Sequence, residues 1–305
     1  MVEYYLKRSA SDTLSRVDKP LSGAGLWVHS TDRRAEVLAI IDHHGLDQNT
    51  VHDVYDRHEL PRQEWKDGIS YSFLRVPNSV GDTVPLLAVA TKHNLITISP
   101  HMAFVPAEAD VFLTTPTSHP PSSLLALLAK VVTEYEKHIN RLSESIAKAR
   151  KHLKKHDVSN KDFIEFVSIE DQLNDYHTSL NGMSDVVRRL GENKEDMFKK
   201  SDLETIEDLS LHLSQLIVSI GSNVQSVRSI QGAYSTIANN TVNQRMKALT
   251  VVTILLAIPN VFYGMYGMNI ALPLQDKAWA YPAITGFTLL LILLVFVLAR
   301  RYRLF

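Results

Sequence analysis

The chain has 305 residues, with 32 Lys and Arg against 33 Asp and Glu, for a formal net charge of −1. That balance supplies no global field to attract a polyanion, so no nucleic-acid partner is expected. The absence of cysteine removes disulfide scaffolds, thiolate metal sites, iron–sulfur clusters and cysteine nucleophiles.

The first residues, Met1-Val2-Glu3-Tyr4-Tyr5, lack a basic patch followed by an apolar run, and no cleavable signal peptide is expected. Nine of the twelve prolines lie at or before Pro121. In this first block, residues 33–45 and 49–57 read as short helices. The runs 71–76, 86–91, 95–98 and 110–113 read as β-strands, set off by Gly, Pro, Asn and Asp. The block is therefore mixed α and β.

Residues 122–258 contain no proline, which permits long helices. Leu124, Leu125, Leu128, Val131, Val132, Tyr135, Ile139, Leu142 and Ile146 recur at three- and four-residue steps and predict one helix face. Ser159 or Asn160 is placed to cap a second helix whose stripe runs through Phe163, Phe166, Ile169, Leu173, Tyr176, Leu180, Met183 and Val187. Leu190-Gly191 marks its end. A third helix is predicted from Ser201-Asp202-Leu203-Glu204, read as a capping box with Ser201 at the cap. Continued to Met268, it is about 100 Å long at roughly 1.5 Å per residue.

Residues 248–275 carry no charged side chain, and neither do residues 278–299. Each core, 248–266 and 281–299, has about the 20 residues that span a 30 Å hydrocarbon layer. Two such segments with a short connection predict a membrane hairpin. Arg245 and Lys247 precede it and Arg300, Arg301 and Arg303 follow, whereas the connection holds only Asp276 and Lys277. The positive-inside rule then places both termini in the cytoplasm of a multi-pass plasma-membrane protein. Tyr263, Tyr266, Trp279 and Tyr281 sit where an outer aromatic belt belongs. Two spans cannot enclose a hydrated pathway, so any transport requires several copies around an axis.

Within the first span, Asn243, Met246, Leu249 or Thr250, Thr253, Ala257, Asn260, Gly264 and Gly267 follow helical steps, while Val251, Leu255, Ile258, Phe262 and Met265 lie more to the other side. Small and hydroxylated residues also suit a helix–helix seam. Asn260 favours a water-lined face, because a primary amide is costly in lipid. The span closes on Tyr266-Gly267-Met268-Asn269. An asparagine ring at a pore mouth accepts hydrogen bonds from the water shell of a cation such as Mg²⁺, which sheds its waters reluctantly.

The Gly267-Met268-Asn269 triad, preceded by Tyr266 and placed before a short loop and a final span, resembles the signature of the CorA family of divalent-cation (magnesium/cobalt) transport proteins. The segments 243–250, His52-Asp53-Val54, Leu60-Pro61-Arg62-Gln63-Glu64 and 69–73 are also similar to that family. The resemblance implies an α+β cytoplasmic domain in α/β/α layers, joined by a long stalk helix to a two-helix C-terminal transmembrane hairpin, in a funnel-shaped homopentamer. The implied parts are an α/β core over 1–121, a helical part over 122–200, and the stalk over 201–247. A pore-lining helix over 248–268, an extracellular loop over 269–280, a second span over 281–299 and a basic tail over 300–305 complete the chain. The resemblance further implies a selectivity filter of Gly267, Met268 and Asn269, with Asn269 meeting the metal. It implies pore-facing Asn243, Met246, Leu249, Thr253, Ala257, Asn260 and Gly264, with Met246 and Leu249 as the constriction. Mg²⁺ is then both cargo and regulator, held between cytoplasmic domains at Asp208 with Asp82 as its partner. The partners implied are four further copies of the chain, the bilayer and divalent cations. Two departures stand out: the loop reads Leu272-Pro273-Leu274, with no glutamate where many members have Met-Pro-Glu, and Ala257 replaces a larger apolar residue.

Other motifs point elsewhere. Asp42-His43-His44 is similar to a metal phosphoesterase motif and His52-Asp53 to the metal pair of HD-type phosphohydrolases, but no second ligand cluster accompanies either. There is no Gly-x-x-x-x-Gly-Lys-Ser/Thr loop, and the thirteen histidines show no regular ligand spacing. The expectation is passive transport, no enzymatic activity and no organic cofactor. Transport of Zn²⁺ or another divalent ion, and a membrane-anchored scaffold, are the alternatives.

Overall fold

The computed structural model describes residues 2–17, 25–31, 35–100, 116–153, 160–194, 196–270, 273 and 276–302. Arg33, the expected strand at 110–113, Ser159, the loop positions Leu272 and Leu274, and Arg303 lie outside the described residues. The chain forms two compact units, Met1–Ile230 and Gln231–Phe305.

The first unit is built on a seven-stranded mixed sheet in the order β2-β1-β3-β7-β6-β5-β4. Its strands are β1 (Val2–Leu6), β2 (Ser15–Val17), β3 (Trp27–Ser30), β4 (Arg62–Lys66), β5 (Ile69–Pro77), β6 (Thr83–Ala90) and β7 (Leu95–Ile98). Among the described strands only β3 and β7 run parallel; the other neighbours are antiparallel. The two-residue side-chain period of a strand separates two cores. Leu74, Val76, Leu86, Ala88, Ala90 and Leu95 point into one, while Tyr71, Phe73, Leu87, Val89, Ile96 and Ile98 point into the other. Every residue of β6 is buried, as a strand covered on both faces must be.

Two short helices, α1 (Ala35–His44) and α2 (Gln48–His52), cover one face with Val37, Ile40, Ile41 and Val51. The expected helix over 49–57 is shorter, because it tightens into a 3-10 turn at Asp53–Tyr55 and ends there. Three long helices cover the other face: α3 (Pro120–Leu153), α4 (Asn160–Gly191) and the first part of α5 (Lys200–Tyr266). The layers are α/β/α, as the resemblance implied. The predicted stripe of α3 is buried from Leu124 to Ile146 except for the half-buried Leu142, and that of α4 from Phe166 to Val187. Phe163 departs from its stripe at 42% exposure, since it lies at the end of the helix pair.

Two buried tyrosines tie the helices to the sheet. Tyr135 of α3 donates its hydroxyl to the Arg75 carbonyl (3.1 Å), and Tyr176 of α4 donates to the Gly81 carbonyl (2.8 Å). Their rings meet edge to face, with centroids 5.3 Å apart. Burial pushes both hydroxyls up, Tyr176 to about 12, so both remain protonated donors. Gly81 stands at φ +100°, a backbone state that favours glycine, and the Asn78 side chain accepts from the amides of Val80, Gly81 and Asp82.

The start of α5 corrects the expected cap. Ser201 already lies inside the first turn, and the Lys199 carbonyl accepts from the Leu203 amide. Asp202, only 9% exposed, reaches back to the Lys199 amide (3.0 Å) and accepts from the Ser122 hydroxyl (2.8 Å) near the start of α3. The reciprocal half of a capping box is present, with aspartate rather than Glu204 in the role.

Four of the strands lie outside the runs expected from sequence. β1 (Val-Glu-Tyr-Tyr-Leu) carries strand-forming residues, β2 is short and polar, β3 is four residues long, and β4 (Arg-Gln-Glu-Trp-Lys) is a charged edge strand. The last three are recognisable only by what they pair with.

Candidate functional site

The second unit carries the apolar run of α5 and a final helix, α6 (Ala280–Arg301), both long and apolar enough to cross a membrane. α5 passes through Pro259 without ending. Pro259 has no N–H to offer the Leu255 carbonyl one turn back, a loss tolerated where neighbouring groups compensate.

A seam joins the two helices. Val251, at 4% exposure, is the most buried position of this stretch of α5, and Leu255, Ile258 and Phe262 continue its row half-buried. On α6, Ala280, Thr288 and Ala299 are buried. Phe262 meets Phe287 edge to face at 5.5 Å. The remaining surface of α6 exposes Leu289, Leu290, Leu293, Leu294, Phe296 and Val297, a composition suited to hydrocarbon rather than water.

The polar stripe faces away from this seam. At about 100° per residue, Thr253, Ala257, Asn260 and Gly264 lie roughly opposite Val251, Leu255, Ile258 and Phe262. Asn243, Met246, Leu249, Thr253, Ala257, Asn260 and Gly264 are all exposed, Met246 at 56% and Leu249 at 59%. Among the described residues of one chain nothing packs over them, so the stripe is not the α5–α6 seam. The hydroxyls of Thr250 and Thr253 donate to the carbonyls of Met246 and Leu249 at 2.9 Å, which leaves their oxygens able to accept from outside the helix.

The triad forms the turn that closes α5. Gly267 N–H still reaches the Tyr263 carbonyl (3.0 Å), and Met268 N–H tightens to the Met265 carbonyl (3.2 Å). A β-carbon on Gly267 would stand 3.3 Å from the Tyr263 oxygen, closer than is comfortable, so glycine fits the turn. Met268 and Asn269 are exposed beyond it. Trp279, Tyr281, Tyr263 and Tyr266 expose their rings at the same end of the two helices.

The proposed regulatory carboxylates belong to the first unit. Asp208 is exposed on α5. Asp82 is exposed at the β5–β6 turn, 3.9 Å from the Arg57 guanidinium, and lines a cavity of about 440 Å³ with Arg75 and Asp175. Among the described residues, no group of three or more His, Asp or Glu side chains is placed to hold a metal within one chain. The phosphohydrolase-like Asp53 is held by Arg62 at 2.6 Å. Arg62 also pairs with Glu59 and Glu64 and lies 3.9 Å over the Phe73 ring, so this segment acts as a clamp on the sheet edge. His43 and His44 stack edge to face, and burial, reinforced by His43, lowers the pKa of His44. One contact the sequence did not reveal lies beside the triad: the Tyr266 hydroxyl donates to the Pro273 carbonyl at 3.1 Å.

The chain thus combines an α/β/α domain, a 67-residue helix and an apolar partner helix that follows a Gly-Met-Asn turn. The family described as CorA-like Mg²⁺ transporter protein matches residues 22–301, and the chain belongs to it. Over 286 residues, 90% of each sequence, it is 23% identical to the cobalt/magnesium transport protein CorA of Methanocaldococcus jannaschii. The complete structure of the CorA magnesium transporter from that organism aligns over 99% of this chain and 98% of its own, with a TM-score of 0.83 at 20% identity. The full-length CmaX protein aligns over 97% of both chains, with a TM-score of 0.74 at 15% identity. These likenesses establish the fold.

Proposed function

We propose that the chain assembles as a homopentamer in the plasma membrane and conducts Mg²⁺, with Co²⁺ as a second cargo, passively into the cell. The observation that carries this reading is the stripe from Asn243 to Gly264, polar or small at most positions and uncovered on the side of α5 opposite its partner helix. Lipid against Asn260 is unfavourable, whereas five such faces around an axis enclose a path lined by amide, hydroxyl and backbone groups. Asn269 closes that path outside with uncharged acceptors matched to the hydrated ion. Met246 and Leu249 form its apolar constriction, which conducts only when wetted.

The driving force is the membrane potential, worth about 4.6 kcal/mol per 100 mV for a dication, twice the unit-charge value. Among the charged residues of 269–280 only Asp276 is acidic, so the amide ring rather than a charged vestibule does the selecting. Both termini face the cytoplasm. There, Mg²⁺ held by Asp208 of one subunit and Asp82 of a neighbour keeps the assembly closed; carboxylate oxygens suit this ion.

The test is Mg²⁺ flux into proteoliposomes holding the purified full chain, with Co²⁺, Ni²⁺ and Zn²⁺ in competition, with and without an imposed voltage. Asn269→Ala is expected to abolish voltage-dependent uptake while insertion and assembly persist, and unchanged uptake would reduce the hairpin to an anchor. In the same assay, Asp208→Ala is expected to keep conducting at internal Mg²⁺ levels that close the parent. Superimposable inhibition curves would remove Asp208 from the sensor.

A further inference from the structure

The backbone at Asp82 and on both sides of it is held. The Asn78 side chain accepts from the Asp82 amide at 3.0 Å, and the Asp82 carbonyl accepts from the Asn78 amide at 2.8 Å. The Thr83 carbonyl and hydroxyl accept from the Arg75 guanidinium at 2.6 and 2.9 Å. On the other side, the Gly81 carbonyl accepts the Tyr176 hydroxyl at 2.8 Å. The Asp82 side chain itself stands out into solvent, 61% exposed.

The Tyr176 tie differs from the others. Asn78 and Arg75 belong to the turn and to β5, whereas Tyr176 comes from α4, 95 positions further along the chain. Tyr176 is fully buried, with its ring edge to face on Tyr135. A hydrogen bond shielded from water in this way is stronger than one at the surface, and the carbonyl it satisfies is costly to leave without a donor. Gln172 of the same helix closes the approach from a second side, since a β-carbon on Gly81 would stand 3.2 Å from its side-chain oxygen. α4 therefore grips the residue that precedes the carboxylate.

We infer that Tyr176 is a positioning residue for the Asp82 carboxylate: its hydroxyl fixes, from α4, the turn on which Asp82 is offered to the regulatory metal. This rests on the reading of Asp82 as a regulatory ligand. Mg²⁺ keeps most of its waters and is held through one or two carboxylates, so few protein contacts carry the affinity. A carboxylate on a turn that is already ordered then binds more tightly than one whose turn must be ordered on binding. Tyr176→Phe keeps the ring and removes one donor. Asn78→Ala loosens the same turn from its own side and leaves the buried tyrosines untouched.

The experiment uses the purified full chain and reads two Mg²⁺ thresholds: the internal concentration that half-inhibits uptake in proteoliposomes, and the concentration at which added Mg²⁺ begins to raise the melting temperature in detergent. The second is independent of conduction, because an ion that binds the folded state stabilises it. Losing one hydrogen bond of ordinary strength shifts an equilibrium about three- to tenfold. Both thresholds of Tyr176→Phe are expected to rise by that factor, with uptake at low internal Mg²⁺ unchanged, and Asn78→Ala is expected to move them in the same direction. Val187→Ala, which opens a gap elsewhere on the buried face of α4, is expected to melt earlier but to keep the parent thresholds. Parent thresholds in Tyr176→Phe beside raised ones in Asp82→Asn would overturn the positioning role and leave Asp82 in the sensor. An equal rise in Val187→Ala would also overturn it, because the thresholds would then follow stability alone. Should Tyr176→Phe fail to fold, parent thresholds in Asn78→Ala would overturn the role and raised ones would support it. Parent thresholds in Asp82→Asn would instead remove the regulatory reading itself, whatever Tyr176→Phe does.

Discussion

Replacing Asp202 with alanine strikes the point at which the long helix is fastened to the rest of its unit. The carboxylate holds two donors, the Lys199 amide at 3.0 Å and the Ser122 hydroxyl at 2.8 Å, and is itself 9% exposed. Hydrogen bonds to a charged acceptor contribute about 1.5–3 kcal/mol each when buried, and less where water can replace the partner, as it can at the exposed Lys199. The favourable placement of an anion at a helix N-terminus adds about 0.3–1 kcal/mol. Alanine recovers up to about 0.7 kcal/mol through its higher helix propensity. The net loss is about 2 kcal/mol, which lowers the melting temperature of a domain of this size by about 4–8 °C. Ser201→Ala, which would remove the cap expected from sequence, touches an exposed side chain and is expected to stay within about 0.5 kcal/mol of the parent. Thermal unfolding of the full chain in detergent, followed by tryptophan fluorescence, compares the two, since Trp27 and Trp65 both lie in the first unit. A shift below 1 °C for Asp202→Ala, or a larger one for Ser201→Ala, would refute the assignment of the cap.

Burial, with Arg141 nearby, lowers the pKa of His138 below its ordinary 6.5, so the unfolded chain takes up a proton before the folded one. Stability is then complete above pH 6.5 and declines as the pH falls from there through the lower folded-state value. Melting temperatures at pH 7.5 and 5.5 should fall less for His138→Gln than for the parent, and equal falls would contradict the assignment. Leu249→Ser, on the uncovered stripe, is expected to raise resting Mg²⁺ uptake several-fold by wetting the constriction, whereas Leu293→Ser on α6 leaves it unchanged. Equal effects of the two substitutions in the flux assay would move the water path off the stripe.

Much of the architecture was legible because its signals are local. Two uncharged runs of membrane length, the apolar stripes through Tyr135 and Tyr176, and the end of α4 at Gly191 each depend on residues within a turn or two of one another. The polar stripe of α5 was legible for the same reason, since helical period alone groups Thr253, Ala257, Asn260 and Gly264. The strands were legible only where they are apolar. β5, β6 and β7 announce themselves by their own composition, and β1 carries the same signal in Val2, Tyr4 and Tyr5, whereas β2, β3 and the charged β4 exist because a neighbour supplies their hydrogen bonds.

What the tertiary structure alone decided are the choices among partners that sequence leaves equivalent. Ser201 and Glu204 suit a cap as well as Asp202 does, until Ser122, eighty positions away, supplies a second donor to the aspartate. His52-Asp53 is compatible with a metal pair until Arg62 occupies the carboxylate. Small residues on α5 suit a helix seam or an open face equally, until α6 packs on the Val251–Phe262 side and leaves the other uncovered. The turn after Tyr266 reads as a loop end until the tyrosine hydroxyl reaches Pro273. Periodicity is a property of the chain itself, so its sequence determines which segments are helices and which of their faces are apolar. The partner of a given side chain depends on distances that exist only after folding.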